Sequence, residues 1–380
     1  MGLGFFRLIM SLWVIDQHYK WSITTIQPFI VNRLGRENFA YIGLGHAAVM
    51  SFFVLSGYVI TWVLQNKYPT DRLGIKAFFV GRFLRIYPLY WVILTVVVIG
   101  FFLAPGPAAD YPQLKPERIA CDYMLLPYAF IGFFHFLNQY AYGMIDVPAW
   151  TLPYDLLFYL IAPWLVLRKK ALLAVILYEL AYLAAIATWG TNDFLPWHEG
   201  YLTTGHAAML AFAVGALSYY YRDIRIPTPI IIAMVALQLY VVFIPYGLTN
   251  YYLNHLLNIG ASVILVLAFK KRSKLDNLLG ELTYSTYLLH VPLLRLFEFI
   301  SLPFYSVFAL IATYGLSFAT VKYFETPVER KRAAVTRNML GDNPQLTTLP
   351  ARGAKLVLGL LAALLLVSGI HNILELIRQS

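Results

Sequence analysis

The sequence predicts an all-α fold, a polytopic bundle of membrane helices with ten core spans and one additional C-terminal span. Three observations carry this. Hydrophobic residues make up 60% of the 380 and charged residues only 13%, where an average soluble domain is about 25% charged. The mean hydropathy of +0.65 comes from apolar blocks long enough to cross about 30 Å of hydrocarbon, separated by short polar or basic segments. No period-2 alternation of the kind a barrel strand needs is present. The single cysteine, Cys121, excludes an intrachain disulfide and a cysteine metal cluster.

The first span, 3-19, carries Arg7, Asp16 and His18 and lacks a small-residue cleavage site, so it reads as a retained helix in a chain that starts near Met1. The others fall at 42-64, 87-104, 149-167, 171-189, 201-220, 228-246, 252-269, 282-299, 303-322 and 354-372. Segment 123-138 is apolar but broken by Pro127, Gly132 and His135, which suits a re-entrant or interfacial piece. Basic residues alternate between connections. Arg168-Lys169-Lys170, Lys270-Lys271-Arg272 and the stretch from Lys322 to Arg337 fall on one side, against Lys20, Arg33, Arg36, Lys115, Arg118 and Arg378 on the other. The positive-inside rule then puts the N-terminus in the cytoplasm and, after eleven spans, the C-terminus outside. The net charge of +10 is therefore mostly topological, and nucleic acid is not an expected partner. The working unit is 1-330; 331-353 is a cytoplasmic linker, and 354-380 holds the eleventh span, read as an appended anchor, with a short external tail. Gly45-His46-Ala47-Ala48 and Gly205-His206-Ala207-Ala208 open two spans of the same orientation, an echo that close helix packing also explains.

Ionisable side chains inside spans are costly unless they pair or line a cavity, so each is a candidate for function. Arg7 and His18 lie 11 residues apart, which returns to within about 20° of one azimuth and separates them by about 16 Å along the helix. The histidine offers a proton acceptor and the arginine fixed donors to an anion. Snorkelling of Arg7 to the headgroups and capping by His18 would explain the pair equally well. Arg82 and Arg85, at i and i+3 in Gly81-Arg82-Phe83-Leu84-Arg85-Ile86-Tyr87-Pro88, share a face suited to phosphate oxygens, or to a helix pressed on anionic lipid. Asp155 enters one turn into the fourth span, at an expected depth near His18, as an orienting carboxylate or as an interfacial one. His290, mid-span, either lines a cavity or bonds a neighbouring helix. His46, His206, His255, His135, His198 and His371 form no pair with metal-ligand spacing and carboxylate support, so no metal is expected. Ser56 reads as a small packing residue, since no base is evident beside it.

In order along the chain, these motifs resemble the acyltransferase-3 family of integral-membrane acyltransferases. The resemblance covers roughly residues 5 to 330. It rests on Arg7 with His18, on Phe52-Phe53-Val54-Leu55-Ser56-Gly57, and on Arg82-Phe83-Leu84-Arg85-Ile86-Tyr87-Pro88. It continues through Trp150-Thr151-Leu152 to Phe158-Tyr159, Gly280-Glu281-Leu282-Thr283-Tyr284-Ser285-Thr286-Tyr287-Leu288-Leu289-His290, and Phe324-Glu325-Thr326-Pro327. Two departures stand out: Asp155 occupies a position where glutamate is usual, and Ala48-Val49-Met50-Ser51 precedes the Phe-Phe pair where an acidic or glycine residue is common. Relatives with an extracytoplasmic hydrolase-like domain continue past an eleventh helix, so that activity is not expected here.

The resemblance implies O-acyl transfer, most often of acetyl, from acetyl-CoA or another acyl-CoA as co-substrate to a hydroxyl of an extracytoplasmic carbohydrate or lipid-linked glycan, in a bacterial inner membrane. It implies His18 as catalytic base with Asp155 orienting it, and Arg7, Arg82 and Arg85 as ligands of the donor. Donor phosphates would bind on the cytoplasmic side while His18 lies near the outside, a gap the pantetheine arm would bridge by extending up the bundle past Arg7, with a relay through acyl-His18 as the competing route. A transporter or flippase for a charged solute or lipid-linked sugar is the alternative from a different class.

Overall fold

The computed structural model describes residues 3–20, 44–103, 115–134, 144–189, 205–241, 248–269, 273–301, 303–341 and 353–379. Among the described residues the chain is helical without a strand. In order the helices are α1 (Gly4–Tyr19), α2 (Leu44–Asn66), α3 (Arg72–Leu103), α4 (Pro116–Met124), α5 (Leu126–Ile131), α6 (Leu152–Leu165), α7 (Lys169–Trp189), α8 (Gly205–Ser218), α9 (Thr228–Val241), α10 (Leu248–Ala268), α11 (Lys274–Phe299), α12 (Tyr305–Thr320), α13 (Thr326–Leu340) and α14 (Ala354–Gln379). Each of the eleven expected spans falls on a helix. By length and composition five helical stretches suffice to cross a membrane: Gly45–Asn66, Arg72–Leu103, Lys169–Thr188, Tyr305–Leu340 and Ala354–Leu374.

Two helices outrun the apolar pattern. The third span, expected at 87-104, is the upper part of α3, which starts at Arg72 and absorbs the basic segment and Pro88. Hydropathy marks where charge stops, whereas the helix needs only a continuous backbone ladder and a neighbour to lie on; Arg332 of α13 reaches the Gly81 carbonyl at 3.5 Å. Similarly α12 runs through a π-helical turn, Val321–Glu325, into α13.

The bundle is organised by two side-by-side helix pairs. In the first, α1 and α11 run in the same direction, from Gly4 beside Asp276 to Tyr19, whose hydroxyl donates to the His290 carbonyl at 3.1 Å. The free amides of Gly4 and Phe5 at the start of α1 donate to the Asp276 carboxylate at 2.8 and 3.0 Å, which satisfies groups that helix geometry leaves unpaired. The approach is close enough that a Cβ at Gly4 would lie 1.6 Å from the Asp276 carbonyl oxygen. In the second pair, α2 and α8, the expected common orientation holds. Phe53 meets Phe212 with ring centroids 4.7 Å apart, and further along Asn66 donates to Tyr219 at 2.9 Å. Gly57 sits against the Phe212 carbonyl and Gly215 against that of Val54, the small-residue contact that lets membrane helices touch backbone to backbone.

The segment expected to be re-entrant or interfacial, 123-138, starts on the last residues of α4 and continues through α5, and the end of α4 meets the middle of α3. Tyr90, Trp91 and Tyr87 donate to the carbonyls of Asp122, Tyr123 and Met124 at 2.8, 3.0 and 2.7 Å, so side chains of α3 satisfy the open C-terminal end of α4. His135, within that segment, and His198 lie outside the described residues.

Helix α14 is more than an appended anchor. Tyr178 donates to the Leu365 carbonyl, and Asn372 donates to the Phe133 carbonyl at 3.0 Å and to Tyr182 at 2.9 Å. Ser368 lies 3.0 Å from His206, whose other nitrogen is 3.1 Å from Glu179. All three of these last residues are fully buried.

Candidate active site

A cavity of about 240 Å³ opens between α1, α2, α3, α6 and α11. Helical periodicity supplies its walls. Thr151, Asp155 and Tyr159 recur every four residues along the start of α6, and Gly280, Thr283, Tyr284 and Tyr287 form an i, i+3, i+4, i+7 stripe on α11. Arg7 of α1 and the i, i+3 pair Arg82 and Arg85 of α3 complete it.

The charges are unevenly matched. Arg85 is paired with Glu325 at 3.2 Å and lies over the Tyr284 ring at 5.6 Å. Arg82 lies over Tyr159 at 5.9 Å, and its buried Nε has no hydrogen-bond partner. Ser56 lies beside the Asp155 carboxylate, whose Oδ1 is buried and has no hydrogen-bond partner among the described residues. Three guanidinium groups thus face one carboxylate in the cavity and one at its rim. Such a site attracts anions, and the planar forks suit phosphate or a polarised carbonyl oxygen. The volume falls below the roughly 300–1,000 Å³ of cavities that enclose a whole drug-sized ligand, so it takes one end of a larger one.

His18 lies at the other end of α1. Its ring packs on His290 with centroids 5.1 Å apart, and His46 and Arg295 lie near it. The Nδ1 of His290 lies 2.8 Å from the Tyr287 carbonyl. A carbonyl only accepts, so Nδ1 carries the proton and Nε2 holds a lone pair. That Nε2 is buried without a partner. Tyr287 links the two places: it lines the cavity, its ring is 6.2 Å from His290, and its hydroxyl is held by Thr151 at 2.6 Å and by the Pro148 carbonyl.

The structure therefore brings together Arg7, Arg82, Arg85 and Asp155, and sets His18 apart from them beside His290. Asp155, expected near the depth of His18, lies beside Ser56, which is ten residues along α2 from His46, about 15 Å at helical rise. It stands with the arginines in the cavity. Ser56, read as a packing residue, is a cavity residue. Glu325 and Tyr287 were visible only as letters of motifs. The polar i, i+3, i+4, i+7 stripe of α11 is the signal that finds the tyrosine, while Glu325 acquires its role only from the approach of α3.

A family model described as an acyltransferase domain matches residues 4–322. Among curated proteins, the chain is 31% identical over 170 residues to the peptidoglycan O-acetyltransferase OatA of Listeria monocytogenes, covering 42% of this chain and 26% of that protein. It is 30% identical over 150 residues to the acyltransferase MdmB of Streptomyces mycarofaciens, covering 38% of this chain and 34% of that protein. The matched part thus spans about a quarter to a third of these relatives. No solved structure matches the chain at a significant level.

Proposed function

This chain belongs to the acyltransferase-3 family and is an integral membrane protein, and from that premise we propose that it moves an acyl group, acetyl in the first instance, from acyl-CoA to a hydroxyl of an extracytoplasmic glycan or glycolipid. In this reading ten core spans and the eleventh cross a bacterial inner membrane with the N-terminus in the cytoplasm. The reading is carried by the placement of an anion-attracting cavity at one end of α1 and a histidine pair at the other, joined through Tyr287.

Arg7, Arg82 and Arg85 receive the anionic end of the donor, with Asp155 limiting their mutual repulsion. The donor's thioester arm extends along α1 over the roughly 16 Å to His18. When the acceptor binds, the Nε2 lone pair of His290, unpartnered at rest, accepts an N–H from His18, which fixes the tautomer of His18 and leaves its second nitrogen free as a base, the ordering logic of catalytic dyads and triads. His18 takes the proton of the acceptor hydroxyl. The alkoxide oxygen bonds to the thioester carbon, the carbon–sulfur bond breaks, and the proton passes from His18 to the departing thiolate. General-base contributions of this kind are worth about 10²–10⁴-fold.

The test is purified protein with labelled acetyl-CoA and candidate acceptors, comparing the wild type with His18→Ala. Label transfer reduced at least 100-fold in a folded variant supports the reading. Protein-dependent solute movement across vesicles that persists in the variant, with no label transferred by either protein, would support the transporter instead.

A further inference from the structure

A second and larger cavity, of about 490 Å³, lies between α3, α11 and the α12 region and plays no part in the scheme above. Its walls run along α3 from Leu89 to Phe101 and along α11 from Leu289 to Phe299, a length of about 18 Å at helical rise, more than half the hydrocarbon thickness. It opens sideways: Val96 and Phe299 on its walls are 64% and 62% exposed, on helices whose surroundings are lipid. An apolar groove of this kind would by itself hold only ordinary lipid chains.

Asp146 changes that. It lines the groove, is 1% exposed, and neither carboxyl oxygen has a hydrogen-bond partner among the described residues. It stands at the N-cap position of the 3-10 turn Val147–Thr151 yet makes no capping bond. The hydroxyls around it are already committed: Tyr90 to the Asp122 carbonyl, Tyr284 to that of Ile86, and Tyr287 to that of Pro148. Asp122, the other acid facing it, is occupied by Tyr128 and the Ile145 amide. Arg295, also on the wall, is paired with Glu298 at 3.3 Å. A buried polar group without a partner costs several kcal/mol, and an isolated carboxylate in apolar surroundings takes up a proton in preference to staying charged. Such a carboxyl both accepts and donates, which matches a hydroxyl better than a cation.

We propose that this groove binds a membrane-borne alcohol, its hydrocarbon body lying along α3 and α11 and its hydroxyl bonded to Asp146. The site deepens the function proposed above, on which it rests, by naming the acceptor class: an alcohol carried by an apolar body that enters from the bilayer, as opposed to a water-soluble polymer. The groove wall on α11 begins at Leu289, next to His290 and two residues from Tyr287, which puts that hydroxyl beside the catalytic end of the bundle. The same groove is not the seat of the donor's acyl chain, because it shares no lining residue with the arginine cavity.

The experiment is photolabelling of the full chain in lipid nanodiscs with a long-chain alcohol carrying a diazirine in its chain, mapped by peptide mass spectrometry. The expected label falls on the Leu89–Phe101 and Leu289–Phe299 stretches and is displaced by an unlabelled alcohol at least tenfold better than by the chain-matched alkane, amine or acyl-CoA. A Cβ at Gly100 meets nothing within 4 Å, so Gly100→Trp fills the groove without a backbone clash and should reduce labelling at least tenfold. Asp146→Asn should keep part of the preference for alcohol over alkane, and Asp146→Ala should abolish it. Equal displacement by the alkane would reduce the groove to a lipid contact. Better displacement by the amine or by long-chain acyl-CoA would overturn the assignment in favour of a cation or the donor. Labelling does not depend on turnover, so alcohol binding without acyl transfer would sink the enzymatic reading alone, and transfer without alcohol binding would sink this one alone.

Discussion

Replacing His206 with alanine should loosen the attachment of α14 far more than removing the hydroxyl of Ser368, although both changes cut the same connection. The imidazole stands between Glu179 at 3.1 Å and Ser368 at 3.0 Å, with all three side chains fully buried. Ser368→Ala removes one hydrogen bond between membrane helices, worth about 0.6 kcal/mol on average. His206→Ala leaves Glu179 in apolar surroundings with no partner, and breaking a buried pair in this way costs about 3–5 kcal/mol. It also removes a ring that packs on Tyr182 with centroids 4.1 Å apart. The difference of at least about 2 kcal/mol corresponds to roughly 30-fold in the unfolding equilibrium, since 1.4 kcal/mol is tenfold. Denaturation of the purified variants in one detergent, followed at a fixed pH, measures both. A double variant, Glu179→Leu with His206→Leu, removes the unpaired charge and should recover most of the loss. If His206→Ala cost no more than Ser368→Ala, the connection would be a neutral contact and the reasoning from buried charge would fail.

Two further predictions follow from the same geometry. Gly4→Ala should lower the yield of folded protein, because its Cβ would lie 1.6 Å from the Asp276 carbonyl oxygen, whereas Gly315→Ala, whose Cβ meets nothing within 4 Å, should raise stability by up to about 1 kcal/mol through helix propensity; denaturant midpoints of the pair compare them. Arg82→Ala and Arg85→Ala should each raise the KM for acyl-CoA about tenfold or more while leaving the KM for the acceptor unchanged, as steady-state kinetics with each substrate varied would show; an effect on expression alone would reduce both residues to structural ones.

Much of the architecture was legible because burying a helix in lipid demands a long apolar run, and that demand is written one residue at a time. The helical nature of all eleven segments followed from this, and the common direction of α2 and α8 followed from parity. Helix ends were less legible. Nothing in a hydropathy pattern says that the basic stretch before Pro88 continues as α3, since what supports it is the distant α13. The clustering of Arg7, Arg82 and Arg85 was anticipated by their shared chemistry, but the depth of Asp155 was not. The chain passes a 3-10 turn before α6 begins, and the first turns of α6 lie beside Ser56 in place of the level of His18. Likewise the neighbour of His18 is another histidine, separated from it by most of the chain, and proximity of that kind is set by how α1 and α11 pack.

In the proposed mechanism a donor on one face of the membrane and an acceptor on the other meet within a single bundle. The most direct measurement reconstitutes the protein in sealed vesicles, supplies labelled acyl-CoA to one side, places a lipid-anchored acceptor with its hydroxyl headgroup in the leaflet facing the other side, and follows where the label goes. Acylated acceptor is expected in the leaflet facing away from the donor, abolished by His18→Ala. Transfer only when both substrates share a compartment would contradict it.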